Sequence, residues 1–315
     1  MPWCCSFKAL RPAEFVRSFG FSFDLQDTTV LMNILIPGAL FLIMFALGLN
    51  LRDNHFDLIR NRSALLLRVL LGTCVLVPLV AMIILWLPLS LELSQPARLS
   101  IALMAVCPSA PLTLRKAGKA GGNAQMAGYL QMAAAIAAII SIPLMNELFT
   151  TVFKGQGWDI RPMHVAMNVG QVQILPLFLG LFLRSWLPAW AERAEPFFNK
   201  LANVLLLLVL VVILVKAFPL IIPFASKNLL ALGFMAVMVI ASLLIGYLLA
   251  GPDPQERTTV SLVTSMRNPG LALLFAQINA PQMLELKLSI LTYLLLTIIF
   301  STPFLNWRKR LAMGT

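Results

Sequence analysis

The sequence reads CPSAPLTLRK over residues 107–116 and TSMRNPG over residues 264–270. Each segment lies inside a long apolar stretch, where a membrane-spanning helix would have an unbroken run of aliphatic residues. Proline removes a backbone donor and clashes with the preceding helical turn, so both helices should be broken. The breaking residues are Pro108, Pro111, Pro269 and Gly270. Unpaired backbone groups at membrane depth need a protein or water neighbour, so we predict that the two breaks lie against each other.

The composition of the whole chain places these segments in a membrane protein. Of the 315 residues, 59% are hydrophobic and 12% are charged, whereas soluble domains are about a quarter charged. Such a chain could not cover a water-exposed surface without large apolar patches, which excludes a soluble fold. We find no HExxH or Gly-x-Ser-x-Gly motif and no Cys or His set with ligand spacing. We therefore expect neither an enzyme, nor a cofactor, nor a metal site.

Nine apolar stretches are candidate membrane spans. They cover about residues 30–50, 63–87, 98–112, 124–148, 163–183, 201–222, 229–250, 258–278 and 288–306. The 24 Lys and Arg against 13 Asp and Glu concentrate in alternate loops, which is typical of cytoplasmic loops rather than of nucleic-acid binding. This pattern predicts a multi-pass protein of the cell membrane, and of a bacterial inner membrane in particular, with nine helices and a cytoplasmic C-terminus. The alternative of ten transmembrane helices is left open by the sequence.

The two breaks occupy matching places in the chain, because one further apolar span follows each of them. Paired discontinuous helices in corresponding positions indicate a secondary transporter built from inverted repeats. Ordinary proline kinks between packed helices are the simpler alternative. We expect an uncleaved interfacial segment at 1–29, a first repeat at 30–148 with its break near 106–116, an external loop at 149–162, a second repeat at 163–306 with its break near 263–271, and a cytoplasmic tail at 307–315.

At these same residues the sequence resembles the bile acid:sodium symporter family. The matching segments are ALGLNL at 46–51, Cys107-Pro108, Gly122-Asn123 and MRNPGLA at 266–272. The resemblance implies an all-α fold of two inverted repeats, in which a core domain contains the crossed helices and a panel domain lies beside it. It also implies alternating-access transport of a small or amphipathic organic anion, in a lipid bilayer and without a nucleic-acid partner. A monomer is compatible with the sequence.

The sequence departs from the family at the residues that bind sodium. Sodium-coupled members usually carry a glutamate three positions before the methionine and a glutamine directly after it, where this chain has Val263 and Arg267. The family's Ser-Asn pair corresponds to Thr113-Leu114, and two hydroxyl positions correspond to Ala127 and Gln131. The resemblance therefore assigns the substrate or ion site to Thr113, Leu114, Gln131, Val263, Met266, Arg267 and Asn268.

Sodium coupling is not expected, because sodium and proton sites favour carboxylates and no acidic residue falls in the middle of a span. Two roles remain open for Arg267, which either replaces the cation structurally or pairs with a substrate carboxylate. Arg115 and Lys116 are candidate anion contacts, although orientation charges on the cytoplasmic side explain them more simply. The alternatives are a sodium-coupled symporter with an altered site, and a channel or sensor that keeps the fold without turnover.

Overall fold

A computed structural model describes residues 35–50, 62–110, 113–153, 167 and 170–313. These residues are almost entirely helical and form no strand, so the all-α prediction is confirmed for this part of the chain. The helices are α1 Ile36–Asn50, α2 Ser63–Trp86, α3 Gln95–Val106, α4 Thr113–Lys119, α5 Ala124–Val152, α6 Leu175–Trp186, α7 Pro188–Lys227, α8 Leu229–Leu249, α9 Pro254–Ser265, α10 Pro269–Asn279 and α11 Leu284–Met313.

Five of these helices, namely α2, α5, α7, α8 and α11, are each long and apolar enough to cross a membrane, and α1 and α10 are shorter apolar helices. Their outer faces carry large apolar side chains in contact with the surroundings, such as Leu67 and Ile140. Exposed tryptophans lie at helix ends, with Trp86 closing α2 and Trp186 closing α6. The chain is therefore a multi-pass membrane protein, and the number of nine crossings stays a prediction.

Two π-helical turns occur in the described residues, each shortly before a proline. In α2 the turn covers Gly72–Leu76, and a second turn covers Gly170–Ile174 directly before α6. Each turn is followed by Pro78 or Pro176, six residues after the glycine that begins the turn. Because a proline cannot donate to the preceding turn and clashes with its carbonyl, the wider π turn makes room for it.

The helices pack in two groups. Helix α1 packs against α6 and α7, while α8 packs against α9 and α11, and α3 packs against α2 and α11. Helices α1 and α6 meet backbone to backbone, because a Cβ atom built on Gly48 would lie 3.0 Å from the Cα of Gly180. Helix α7 also packs against α11, which joins the α1–α6–α7 group to the rest.

Several helices extend beyond the apolar stretches of the sequence. Helix α7 is continuous from Pro188 to Lys227 and includes residues 188–200, which the sequence assigned to a connecting loop. Helix α5 runs to Val152, and α11 continues through most of the segment 307–315. Hydropathy marks the part of a helix that lies in the bilayer, whereas hydrogen bonding carries the helix further into polar sequence. The segment 1–29 and residues 154–162 lie outside the described residues.

Candidate functional site

Both predicted breaks are present, and they touch. Helix α3 ends at Val106 before α4 begins at Thr113, and α9 ends at Ser265 before α10 begins at Pro269. Ser109 and Arg267 pair as an isolated antiparallel bridge. In this bridge the Ala110 N–H donates to the Met266 carbonyl at 2.7 Å, and the Asn268 N–H donates to the Pro108 carbonyl at 2.9 Å. Each break therefore supplies the backbone partners that the other lacks.

Polar side chains next to the bridge start the helices that leave it. The Asn268 side chain accepts from the Leu271 N–H at 3.2 Å, so that it caps α10, whose first residue is Pro269. An asparagine cap followed by proline is a favourable helix start. The Thr113 hydroxyl is hydrogen-bonded to that of Ser109 at 3.1 Å. Thr113, Arg267 and Asn268 are all buried, and the prediction that the two breaks lie against each other is confirmed.

The guanidinium of Arg267 binds two carbonyl oxygens that proline leaves free. Its Nη1 donates to the Thr73 carbonyl and to the Cys107 carbonyl, each at 3.0 Å. In the π turn of α2 the Val77 N–H donates to the Gly72 carbonyl. The next N–H along would serve Thr73, but residue 78 is a proline and has none.

The second carbonyl accepted by Arg267 belongs to the end of a helix. Cys107 caps α3 at its C-terminus, where the last carbonyls have no partner within the helix. In a continuing helix the N–H four residues on would serve this carbonyl, but residue 111 is a proline and has none. Arg267 thus joins α2, the end of α3 and the break after α9 at one point. One of its two acceptors is thus a carbonyl at a helix C-terminus.

No carboxylate pairs with Arg267 among the described residues, whose ion pairs are Arg62–Glu256 and Arg184–Glu192. The Nε and Nη2 atoms of Arg267 are buried and have no hydrogen-bond partner in this part of the chain. The ionisable side chains that act on it electrostatically are those of Tyr293, Cys74 and Cys107. The guanidinium is therefore a buried positive charge without a protein counter-charge in the part of the chain described.

An apolar cluster lies beside the point where the two breaks meet, which we call the crossing. Val263, Ala127 and Met266 are buried in it, and Leu114 packs against it. The cluster joins α4, α5 and α9, and none of these four side chains carries an oxygen atom. It therefore offers no side-chain ligand to a hard cation such as sodium.

A cleft of about 300 Å³ opens between α1 and α7 on one side and α4 and α5 on the other. Four amide side chains and several small or aliphatic ones form its walls. The described lining residues are Ile43, Ala46, Leu47, Asn50, Leu114, Ala124, Gln131, Asn199, Ala202 and Asn203. The lining includes no charged side chain among these residues. Gln131 is nearly inaccessible to solvent, and neither of its amide atoms has a hydrogen-bond partner among the described residues.

The structure thus divides the predicted site residues into three places. Thr113, Arg267 and Asn268 lie at the crossing, Val263 and Met266 lie in the apolar cluster, and Leu114 and Gln131 line the cleft. The candidate anion contacts Arg115 and Lys116 lie in α4, where Lys116 is half-buried. Pro111 lies outside the described residues.

Sequence reasoning missed a polar network at the start of α9. Glu256 is buried there and pairs with Arg62. Arg308, taken from the sequence as part of the tail, donates to the Thr258 hydroxyl at 2.8 Å. The Thr259 hydroxyl accepts from the Asn123 N–H at 2.9 Å. The available signal was the Asp253-Pro254 helix start, at which Asp253 caps α9.

The family model of the sodium bile acid symporter family matches residues 37–224. The chain belongs to this family. The match covers α1 to most of α7, including the first broken helix, whereas the second broken helix lies beyond it. No curated protein matches the chain. Members of the family are membrane transporters rather than enzymes, so the chain is a transporter of the bile-acid or organic-anion type.

Proposed function

We propose that this transporter carries a small or amphipathic organic anion by alternating access and does not use sodium. The observation that carries the proposal is the pair of hydrogen bonds from Arg267 to the Thr73 and Cys107 carbonyls. Carbonyl oxygens are also the ligands that a bound sodium ion would use. A guanidinium that already binds them acts as a built-in cation, so we assign Arg267 the structural role rather than a contact with substrate.

The apolar cluster supports the same proposal, because it contains further positions at which sodium-coupled members of the family carry polar side chains. Leu114, Ala127 and Val263 stand where sodium-coupled members carry an amide, a hydroxyl and a carboxylate. Their side chains pack together instead of leaving a polar cavity. A cation placed among them would lose its hydration without gaining side-chain oxygen ligands, which is strongly unfavourable.

We assign substrate binding to the cleft between α1 and α7 and the helices α4 and α5. Its amides, Asn50, Gln131, Asn199 and Asn203, can donate to an anion, and its small and aliphatic residues suit an amphipathic body. Movement of the α1–α6–α7 group against the other helices would open the cleft to one side and then to the other. In this proposal the inverted repeats are residues 30–148, which contain α1 to α4 and most of α5, and residues 163–306, which contain α6 to α10 and most of α11, with the C-terminus in the cytoplasm.

Uptake into proteoliposomes tests the coupling. A panel of labelled organic anions is offered with an inward gradient of sodium chloride or of choline chloride. We expect equal initial rates in the two salts. Uptake that vanishes in choline and returns with millimolar sodium would overturn the sodium-independent mechanism.

Two further measurements test the carrier and the cleft. Labelled substrate should accumulate in counterflow against excess unlabelled substrate, because only alternating access supports such exchange. A channel or a sensor would give no accumulation.

The double variant Asn199→Ala with Asn203→Ala tests the cleft. It should raise the half-saturating substrate concentration at least several-fold, because each lost hydrogen bond weakens binding by about 0.5–1.5 kcal/mol. Asn279→Ala is the matched control, since this amide lies on α10 outside the cleft. Equal transport in all three proteins would exclude the cleft as the binding site.

A further inference from the structure

The guanidinium of Arg267 has more donors than the protein satisfies. Its two bonds to Thr73 and Cys107 both come from Nη1. The Nε–H and the two N–H groups of Nη2 find no acceptor among the described residues, although the residue is only 2% exposed. Buried donors without a partner are strongly disfavoured, so an acceptor should lie beside these nitrogen atoms.

The surroundings of Arg267 determine what kind of acceptor this is. Thr73 has a buried hydroxyl that is also without a partner in the described part of the chain. Tyr293, Cys74 and Cys107, which are close enough to act on Arg267 electrostatically, carry O–H and S–H groups that are neutral when protonated. These groups can donate or accept a hydrogen bond, but none is a fixed negative charge that would balance the guanidinium. The place therefore combines a full positive charge with unpaired donors.

Charge favours an anion over water at such a place. A cation in a low-dielectric interior is stabilised by an opposite charge at contact far more than by a neutral dipole. A single-atom anion needs the least space beside a residue this buried, whereas a larger anion would need an open cavity. A substrate anion in the cleft would not supply this negative charge, because Arg267 is not among the described residues that line the cleft.

We propose that a small inorganic anion of the chloride type binds beside Arg267 at the helix crossing, separate from the substrate cleft. The inference rests on the proposed role of Arg267 as a built-in cation and adds to it a fixed counter-ion. The anion would accept from the Nε–H and Nη2–H groups, with the Thr73 hydroxyl as a further donor. Arg267 and the anion together would then make the crossing electrically neutral.

Thermal unfolding of the purified full-length protein tests the proposal. The salt is choline chloride, choline bromide or choline formate, each titrated against choline gluconate at constant ionic strength. We expect chloride and bromide to raise Tm in a saturable way, by about 2–4 °C at ten times the half-saturating concentration. Formate distinguishes a carboxylate from a halide as the source of the negative charge. Stabilisation by formate but not by halides would assign the position to a substrate carboxylate and overturn the proposal.

Three variants test whether the halide-dependent rise in Tm arises at Arg267. Arg267→Met should abolish the halide-dependent shift, whereas Arg68→Gln, at an exposed arginine of α2, should keep it. Thr73→Val retains Arg267 and both carbonyl bonds, and it should raise the half-saturating chloride concentration at least threefold. This variant keeps the test informative if Arg267→Met does not fold. An equal shift in wild type and in either site variant would overturn the proposal, because the shift would then be a general salt effect.

Diffraction from wild-type crystals grown in bromide gives a direct readout that needs no variant. We expect an anomalous bromide peak within about 3.5 Å of the Nε or Nη2 atom of Arg267. No peak there, together with no halide-dependent change in Tm, would overturn the proposal. Because all salts contain choline, this outcome is independent of whether transport uses sodium.

Discussion

Replacing Gly48 by alanine tests the contact between α1 and α6, which backbone atoms make. A Cβ atom at Gly48 would overlap the Leu177 carbonyl oxygen, and it would lie 2.9 Å from the Leu181 nitrogen and 3.0 Å from the Gly180 Cα. All three neighbours are main-chain atoms of α6, so no side chain can rotate out of the way. The methyl group can be accommodated only if the two helices separate.

The expected loss of stability follows from this geometry. Relieving the overlap requires a shift of roughly 1 Å between helices, and inserting a methyl group into a well-packed interior costs about 1–3 kcal/mol. Gly38 is the matched control, because it lies in the same helix and a Cβ there meets nothing within 4 Å. Alanine at Gly38 changes only helix propensity, which favours the variant by up to about 1 kcal/mol. The same gain applies at Gly48 in the same helix, so it cancels and the two alanine variants should differ by about 1–3 kcal/mol, the packing cost.

Reversible unfolding in mixed micelles, followed by tryptophan fluorescence, measures this difference. Gly180→Ala should be destabilised like Gly48→Ala, since its Cβ would overlap the Phe45 carbonyl oxygen on the other side of the contact. The double variant should lose less than the sum of the two, because both methyl groups open the same gap. If Gly48→Ala were as stable as Gly38→Ala, α1 and α6 would not be in backbone contact and the packing described for these helices would be wrong.

Three further predictions concern the crossing and its supports. Arg267→Ala should lower the melting temperature, because it leaves two buried carbonyls without a donor at a cost of about 1–3 kcal/mol each. Arg267→Lys should recover part of this loss. Equal melting temperatures of the wild type and both variants would contradict the structural role. Val263→Glu combined with Arg267→Gln should not create sodium-driven uptake, since Leu114 still supplies no oxygen, and a higher uptake rate in sodium than in choline would show otherwise. Asn123→Ala should destabilise the protein by about 1 kcal/mol in the unfolding assay, because the Asn123 side chain caps α5 by accepting from the Met126 N–H.

The fold class and both helix breaks could be predicted from the sequence because the relevant physics is local. A proline inside an apolar run interrupts a helix whatever surrounds it, and unpaired backbone at membrane depth must find a neighbour. The pairing of Ser109 with Arg267 follows from that need. Asn268 could be identified for the same reason, since an asparagine before proline is a local helix start.

The partners of Arg267 could not be predicted, because they depend on a different helix. Pro78 was part of an apolar stretch that looked uninterrupted, and its effect on the Thr73 carbonyl appears only with the π turn of α2. The six-residue spacing from Gly72 to Pro78, repeated from Gly170 to Pro176, was a usable signal. The cleft could not be predicted either, because it joins side chains of α1, α7 and α4–α5 that are far apart in the sequence.

The antiparallel bridge between the two breaks has a consequence for the evolution of this family. The bonds Ala110 to Met266 and Asn268 to Pro108 run between main-chain atoms, so they place no demand on the side chains at these positions apart from an N–H on each donor. Exchange of side chains around the crossing, such as those of Val263 and Arg267, therefore leaves these backbone bonds in place. Ion dependence is then a trait that mutation can add or remove without rebuilding the protein, and transporters with different energy sources can descend from one architecture.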